Sequence, residues 1–189
     1  MMTSRIFKNI AVLALLVPIA GSIGCDDPTA GLFDPQIVED TVEFWLPDPQ
    51  RDDLPTALDV SASPMGIAGA RFPETTAGAN NWDVTVRMRE GALTLVTPAG
   101  IGRDSRAGLA EPVTDRSIEA IDRAPVAEFT RDRTLPLATG TVYLVRTRAQ
   151  PGCREQFSKI TPVEIDTGEG RVAMRVITNA RCSDERLVP

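Results

Sequence analysis

The sequence predicts an all-β fold: a single antiparallel β-sandwich or partly open barrel behind a cleaved lipoprotein signal peptide. Three observations point there. Short segments rich in β-branched and aromatic residues alternate between apolar and polar positions. Gly- and Pro-rich turns separate them at strand-like spacing. No long amphipathic helical pattern occurs anywhere in the 189 residues.

The chain opens with a basic pair, Arg5 and Lys8, then an unbroken apolar run from Ile10 to Ala20, then Ser22-Ile23-Gly24-Cys25. This is the build of a bacterial secretory signal whose cysteine is lipidated and becomes the first mature residue. Two readings compete. A membrane span needs about 20 apolar residues, but this run breaks at Gly21-Ser22, contains Pro18 and turns acidic at Asp26-Asp27. An ordinary secretory signal would be cut after Ser22. The usual lipobox has Leu three residues before the cysteine, where this chain has Ser22; Gly24 and the abrupt polarity after Cys25 favour lipidation. Asp26 resembles the inner-membrane retention signal of some enteric bacteria, so the choice between inner and outer membrane stays open. The expected organisation is a signal peptide over 1–24, a lipidated Cys25 with a flexible tether over 25–40, and a β-rich globular domain over 41–189.

Along that domain, Thr41 to Trp45 is a strand ended by Leu46-Pro47-Asp48-Pro49, and Ala57 to Val60 is a second short strand. Asp83 to Arg89 is the clearest strand, with Val84, Val86 and Met88 expected on the core face. Glu90-Gly91 turns it into a hairpin with Ala92 to Val96. Residues 97–112 read as a mobile loop, 117–121 as a further strand and 124–140 as irregular chain. The last third reads as a meander of Val142–Arg148, Phe157–Ile165 and Arg171–Thr178, with Asp166 to Gly170 as a turn. Pro162 places its strand at an edge or in a bulge.

Composition narrows the function. The signal segment carries Arg5 and Lys8 and no acid, so 18 basic against 26 acidic residues remain in the mature chain, a net charge near −8. An acidic surface argues against nucleic acid as partner. Lys159 is the only mature lysine. There is no histidine, which removes Ser-His and Cys-His nucleophiles, His-ligated zinc and histidine acid–base chemistry. With Cys25 taken by lipid, Cys153 and Cys182 are an even pair in an oxidising compartment and are expected to form a disulfide. The expected geometry has Cys153 before one strand and Cys182 after its antiparallel neighbour, at one end of the sheet. No metal site and no cofactor are expected.

Several constellations have plain explanations. Gly100-Ile101-Gly102-Arg103 lacks the Lys-Ser/Thr of a phosphate loop and reads as a flexible loop. Asp48, Asp52 and Asp53 read as a solvated acidic turn without calcium-loop spacing. Arg146, Arg148 and Arg154 read as a water-facing sheet surface. Met88 and Met174 read as core. Met65, in Ser63-Pro64-Met65-Gly66, has no apolar register: it is either an exposed thioether able to ligate haem or copper(I), or, the favoured reading, a contact capping the core.

Trp82-Asp83-Val84 followed by alternation and Gly91, and Val142-Tyr143-Leu144-Val145-Arg146-Thr147 followed by Phe157-Ser158-Lys159-Ile160, resemble the HmuY-like haem-binding bacterial lipoproteins over residues 80–178. The resemblance implies an all-β lipoprotein and haem capture in nutrient uptake. It assigns no ligand residue to a matching position here. The expected function is a non-enzymatic, lipid-anchored envelope protein that binds another molecule, its partners being the membrane through the lipid and an envelope protein or small hydrophobic ligand. Capture of haem is the alternative, with Met65 as the ligand-binding residue. A carboxylate-dependent hydrolase is the third reading, disfavoured because no carboxylate pair stands in a recognisable frame.

Overall fold

In a computed structural model, residues 34–73, 75 and 78–188 are described; the signal segment, Cys25 and the first part of the tether lie outside them. Ten strands follow in chain order: β1 (Ile37–Trp45), β2 (Ala57–Ser63), β3 (Gly66–Arg71), β4 (Val84–Arg89), β5 (Ala92–Val96), β6 (Gly108–Leu109), β7 (Thr134–Pro136), β8 (Tyr143–Arg146), β9 (Phe157–Asp166) and β10 (Arg171–Asn179). They form two antiparallel five-stranded sheets, one ordered β1-β10-β9-β8-β6 and the other β3-β2-β4-β5-β7.

The all-β sandwich is therefore as expected, and the physical cause is alternation. Val42 and Phe44 of β1, Leu58 and Val60 of β2, Val84 and Val86 of β4, Tyr143 and Val145 of β8, and Val172, Met174 and Val176 of β10 all point between the sheets. The β4–β5 hairpin turns at Glu90 and Gly91, both at positive φ (51° and 81°), a two-residue turn whose twist matches the strands. Pro162 sits in the central strand β9, not at an edge. The β9–β10 register shifts between Ala173 (opposite Glu164) and Met174 (opposite Pro162), leaving Val163 as the extra residue of a bulge.

Four expectations need correction. β1 begins at Ile37, inside the expected tether, because residues 37–40 pair with Val176–Asn179. Met88 is 55% exposed, whereas Met174 is fully buried; exposure rises along β4 toward its turn, and Leu93, paired with Met88 on β5, is the residue that packs on the core there. Residues 118–120 form a short 3-10 turn, not a strand. The chain expected as mobile loop and irregular segment contributes β6 and β7, and the stretch between these two strands is a packed cover over the outer face of the first sheet. There Ala110, Ile118, Ile121, Ala124 and Phe129 bury Leu144, Phe157 and Ile177 in a second apolar cluster. Lys159 is 2% exposed beneath this cover and donates from Nζ to the Ile121 carbonyl at 2.8 Å, which pins the segment to β9. Burial holds its ammonium below the usual lysine range.

One seam between the sheets is stitched by side chains in place of a backbone ladder. The Gln156 amide accepts from the Ala62 N–H (2.9 Å) and donates to the Ala62 and Ala180 carbonyls (2.8 and 2.6 Å). The Thr178 hydroxyl donates to the Val60 carbonyl at 2.7 Å, and the Ser158 hydroxyl lies 2.7 Å from Thr178 Oγ1 and 3.3 Å from the same carbonyl. These bonds satisfy the backbone of β2 beyond Leu58, where its pairing with β4 has ended.

Candidate functional site

The stitched corner adjoins a buried charged cluster of Asp59, Asp83 and Arg148. Asp59 lies in β2 between the core-facing Leu58 and Val60, so alternation puts its carboxylate on the outer face of the second sheet, just before the register with β3 shifts. Asp83 directly precedes β4. Trp82 beside it is fully buried and donates from Nε1 to the Ala79 carbonyl. Arg148 follows β8 by two residues, where the chain leaves the first sheet.

Arg148 holds both carboxylates. Its Nη1 and Nη2 donate to the two Asp59 oxygens, each at 2.9 Å, and Nη1 also reaches Asp83 Oδ2 at 3.3 Å. Asp83 accepts two backbone N–H groups as well, from Arg148 (2.7 Å) and Val60 (3.1 Å). Asp59 further accepts from the Ser61 N–H and hydroxyl and from Arg71 Nε and Nη2. The side chains of Asp59 and Asp83 are 2% and 0% exposed, that of Arg148 13% and that of Arg71 35%. The reading of Arg148 as a water-facing residue is thus overturned: two buried carboxylates draw it inward. Arg146 instead lies over the Phe129 ring, and Arg154 is exposed beside Glu155.

The two carboxylates are driven apart. Burial pushes Asp83 up, Asp59 beside it adds to that, and Arg148 only partly opposes them; the carboxyl reaches about 7. Burial also raises Asp59, but the Arg148 and Ser61 hydrogen bonds and the Arg148 charge outweigh it and hold the group below the usual range.

Asp59, Arg71 and Arg148 line an open cleft of about 640 Å³, together with Phe72, Asn80 and Gln150 among others. A hollow of about 330 Å³ adjoins it along β2 and β3, sharing Ser61, Ala68 and Gln150 and ending at Met65. Arg103 braces one wall: its Nη1 donates to the Ala79 carbonyl at 2.6 Å and its guanidinium lies 5.9 Å from the Trp82 ring centre. The opposite wall is the turn in which Gln150 and Cys153 exchange backbone hydrogen bonds, and Cys153 is disulfide-bonded to Cys182 with Cα atoms 5.4 Å apart.

Met65 is 96% exposed at the β2–β3 turn, so it caps nothing. Asp166 Oδ1 accepts the Gly168 and Glu169 N–H groups, a turn-making role. Among the described residues, no three Asp, Glu, His or Cys side chains converge on a metal position. The Asp59–Asp83 pair was not found by reading the sequence. A signal was present: Leu58-Asp59-Val60 and Trp82-Asp83-Val84 both place Asp between apolar residues of a strand, where Asp is disfavoured and needs a partner.

Fold and site together define a two-sheet sandwich with a buried Asp–Arg–Asp tie at the floor of a polar cleft. No family model, curated protein or solved structure matches the chain.

Proposed function

We propose that the chain is a non-enzymatic, lipid-anchored binding module of the bacterial cell envelope, and that the Asp59–Arg148 cleft receives its ligand. The observation that carries this reading is the saturation of the cleft's carboxylate. Every Asp59 oxygen already accepts from Arg71, Arg148 or Ser61, and Asp83 lies behind it, held by two N–H groups and Arg148. A general acid or base must reach a reacting proton within hydrogen-bond distance; a carboxylate locked in this way shapes a site and holds its walls. The Cys153–Cys182 disulfide supports an exported, oxidising location, and the Gly24-Cys25 boundary supports the anchor.

Produced in bacteria, the full chain should partition into detergent and carry the mass of acyl groups at Cys25, and Cys25→Ala should release or stall it. A lipid-free mature protein starting at Ile23 would overturn the anchor.

Haem capture remains the second reading, because Met65 stands exposed at the end of the smaller hollow. One thioether makes a weak site. Haemin added to the protein should give at most a broad, weak Soret change, largely abolished by Met65→Ala. A sharp band of submicromolar affinity that survives Met65→Ala would put haem capture first.

A further inference from the structure

We propose that the ligand of the cleft is a neutral saccharide chain; this deepens the binding-module reading and rests on it. Two guanidiniums, Arg71 and Arg148, meet two carboxylates, Asp59 and Asp83, in one hydrogen-bonded cluster. Both guanidiniums already donate to the Asp59 carboxylate, so an anion finds its donors engaged. A cation would face Arg71, the most exposed member. An apolar ligand needs walls that are mostly hydrophobic, whereas here the apolar lining of the larger cleft is Phe72, three alanines and Pro151.

A neutral polyol remains, and the lining suits it. A sugar hydroxyl is at once a donor and an acceptor. It is matched by the amides of Asn80 and Gln150, which offer both, and by the Ser61 hydroxyl, which spends its hydrogen on Asp59 and offers its lone pairs as acceptors. The planar Arg71 fork, held on one side by Asp59, fixes donor positions without a conformational cost at binding. Phe72 is 37% exposed and offers a plate for the C–H face of a sugar ring. The cleft and the hollow share Ser61, Ala68 and Gln150, so the trough continues along β2 and β3 beyond the room one ring requires. A chain of several sugars, not a monosaccharide, fits that shape.

The test is isothermal titration calorimetry on the full chain in detergent, above the titration range of Asp83. The probes are neutral hexasaccharides of glucose, N-acetylglucosamine, mannose and xylose, with their monosaccharides, haemin and a random peptide library as competitors. At least one hexasaccharide should bind saturably, and its monosaccharide should bind at least about tenfold more weakly. Phe72→Ala and Asn80→Ala, both surface changes that leave the core intact, should each weaken binding by about tenfold. Met88→Ala, exposed at the tip of the β4–β5 hairpin, should change nothing. No hexasaccharide binding, or binding indifferent to Phe72→Ala, overturns the saccharide. If haemin or a peptide then binds in a way that Phe72→Ala weakens, the binding module stands and only its ligand class falls. If no probe binds, both readings fall.

Discussion

Replacing Arg148 with alanine is expected to destabilise the domain by about 3–5 kcal/mol, because it strips buried Asp83 of its counter-charge and leaves buried Asp59 with Arg71 alone. Arg148 donates three hydrogen bonds from its guanidinium to Asp59 and Asp83 and one from its backbone to Asp83, and the backbone bond alone survives the substitution. Urea unfolding should show a lower midpoint with an unchanged slope. Arg148→Ala combined with Asp83→Asn should cost less than the sum of the two single changes, since the second relieves the charge the first exposed. A loss below about 1 kcal/mol would mean that water reaches the cluster.

The same cluster sets a pH dependence. Asp83 is raised from an ordinary 3.8 to about 7, so the folded chain holds a proton that the unfolded chain releases. Its stabilising contribution is complete below the unfolded value and is lost as pH rises through about 7. Asp59 is lowered, and works the other way: its contribution is present above 3.8 and is lost on acidification below it. Asp83→Asn should therefore flatten the decline in stability between about pH 4 and 7. A decline that persists unchanged in that variant would assign it to another group.

Removing the disulfide is the second large effect. Cys153 and Cys182 are 29 positions apart, and closing a loop of that length stabilises by roughly 3–4 kcal/mol on the chain-entropy account. The double variant Cys153→Ser/Cys182→Ser should lose about 2–5 kcal/mol. Hydrogen exchange should rise first in residues 149–153, because the bond ties that wall of the cleft to the segment after β10. Non-reducing peptide mapping of the wild-type protein should find the two cysteine peptides linked. Two free thiols in periplasmically produced protein would refute the pairing.

How much of this was legible in the residues depends on the range of the interaction. The β4–β5 hairpin was readable because its alternation and its Glu90-Gly91 turn are local properties of eight or so neighbours. β3 escaped notice because Gly66-Ile67-Ala68-Gly69-Ala70-Arg71 has little side-chain mass to mark a strand; its partner β2 and the half-buried seam define it. The cover over the first sheet escaped for a related reason. Its apolar residues, Ile118, Ile121 and Phe129, follow no period, since each packs singly into a gap left by β8, β9 and β10. The site was the least legible part. Asp59, Asp83 and Arg148 are separated by 24 and 65 positions, and no local rule couples them.

By itself the sequence determined the class of this protein: an all-β domain with a paired Cys153 and Cys182, an acidic surface and no histidine, behind a segment with the build of a lipoprotein signal. Those are matters of composition, alternation and turn chemistry, which act over a few residues or over the whole chain at once. Tertiary structure alone decided that the sheets form a sandwich stitched by Gln156, Ser158 and Thr178, that Met88 faces water, and that Arg148 turns inward. The last follows from electrostatics: two carboxylates carried by different strands are tolerable in the interior only where a distant guanidinium arrives to meet them, and only the folded chain brings the three together.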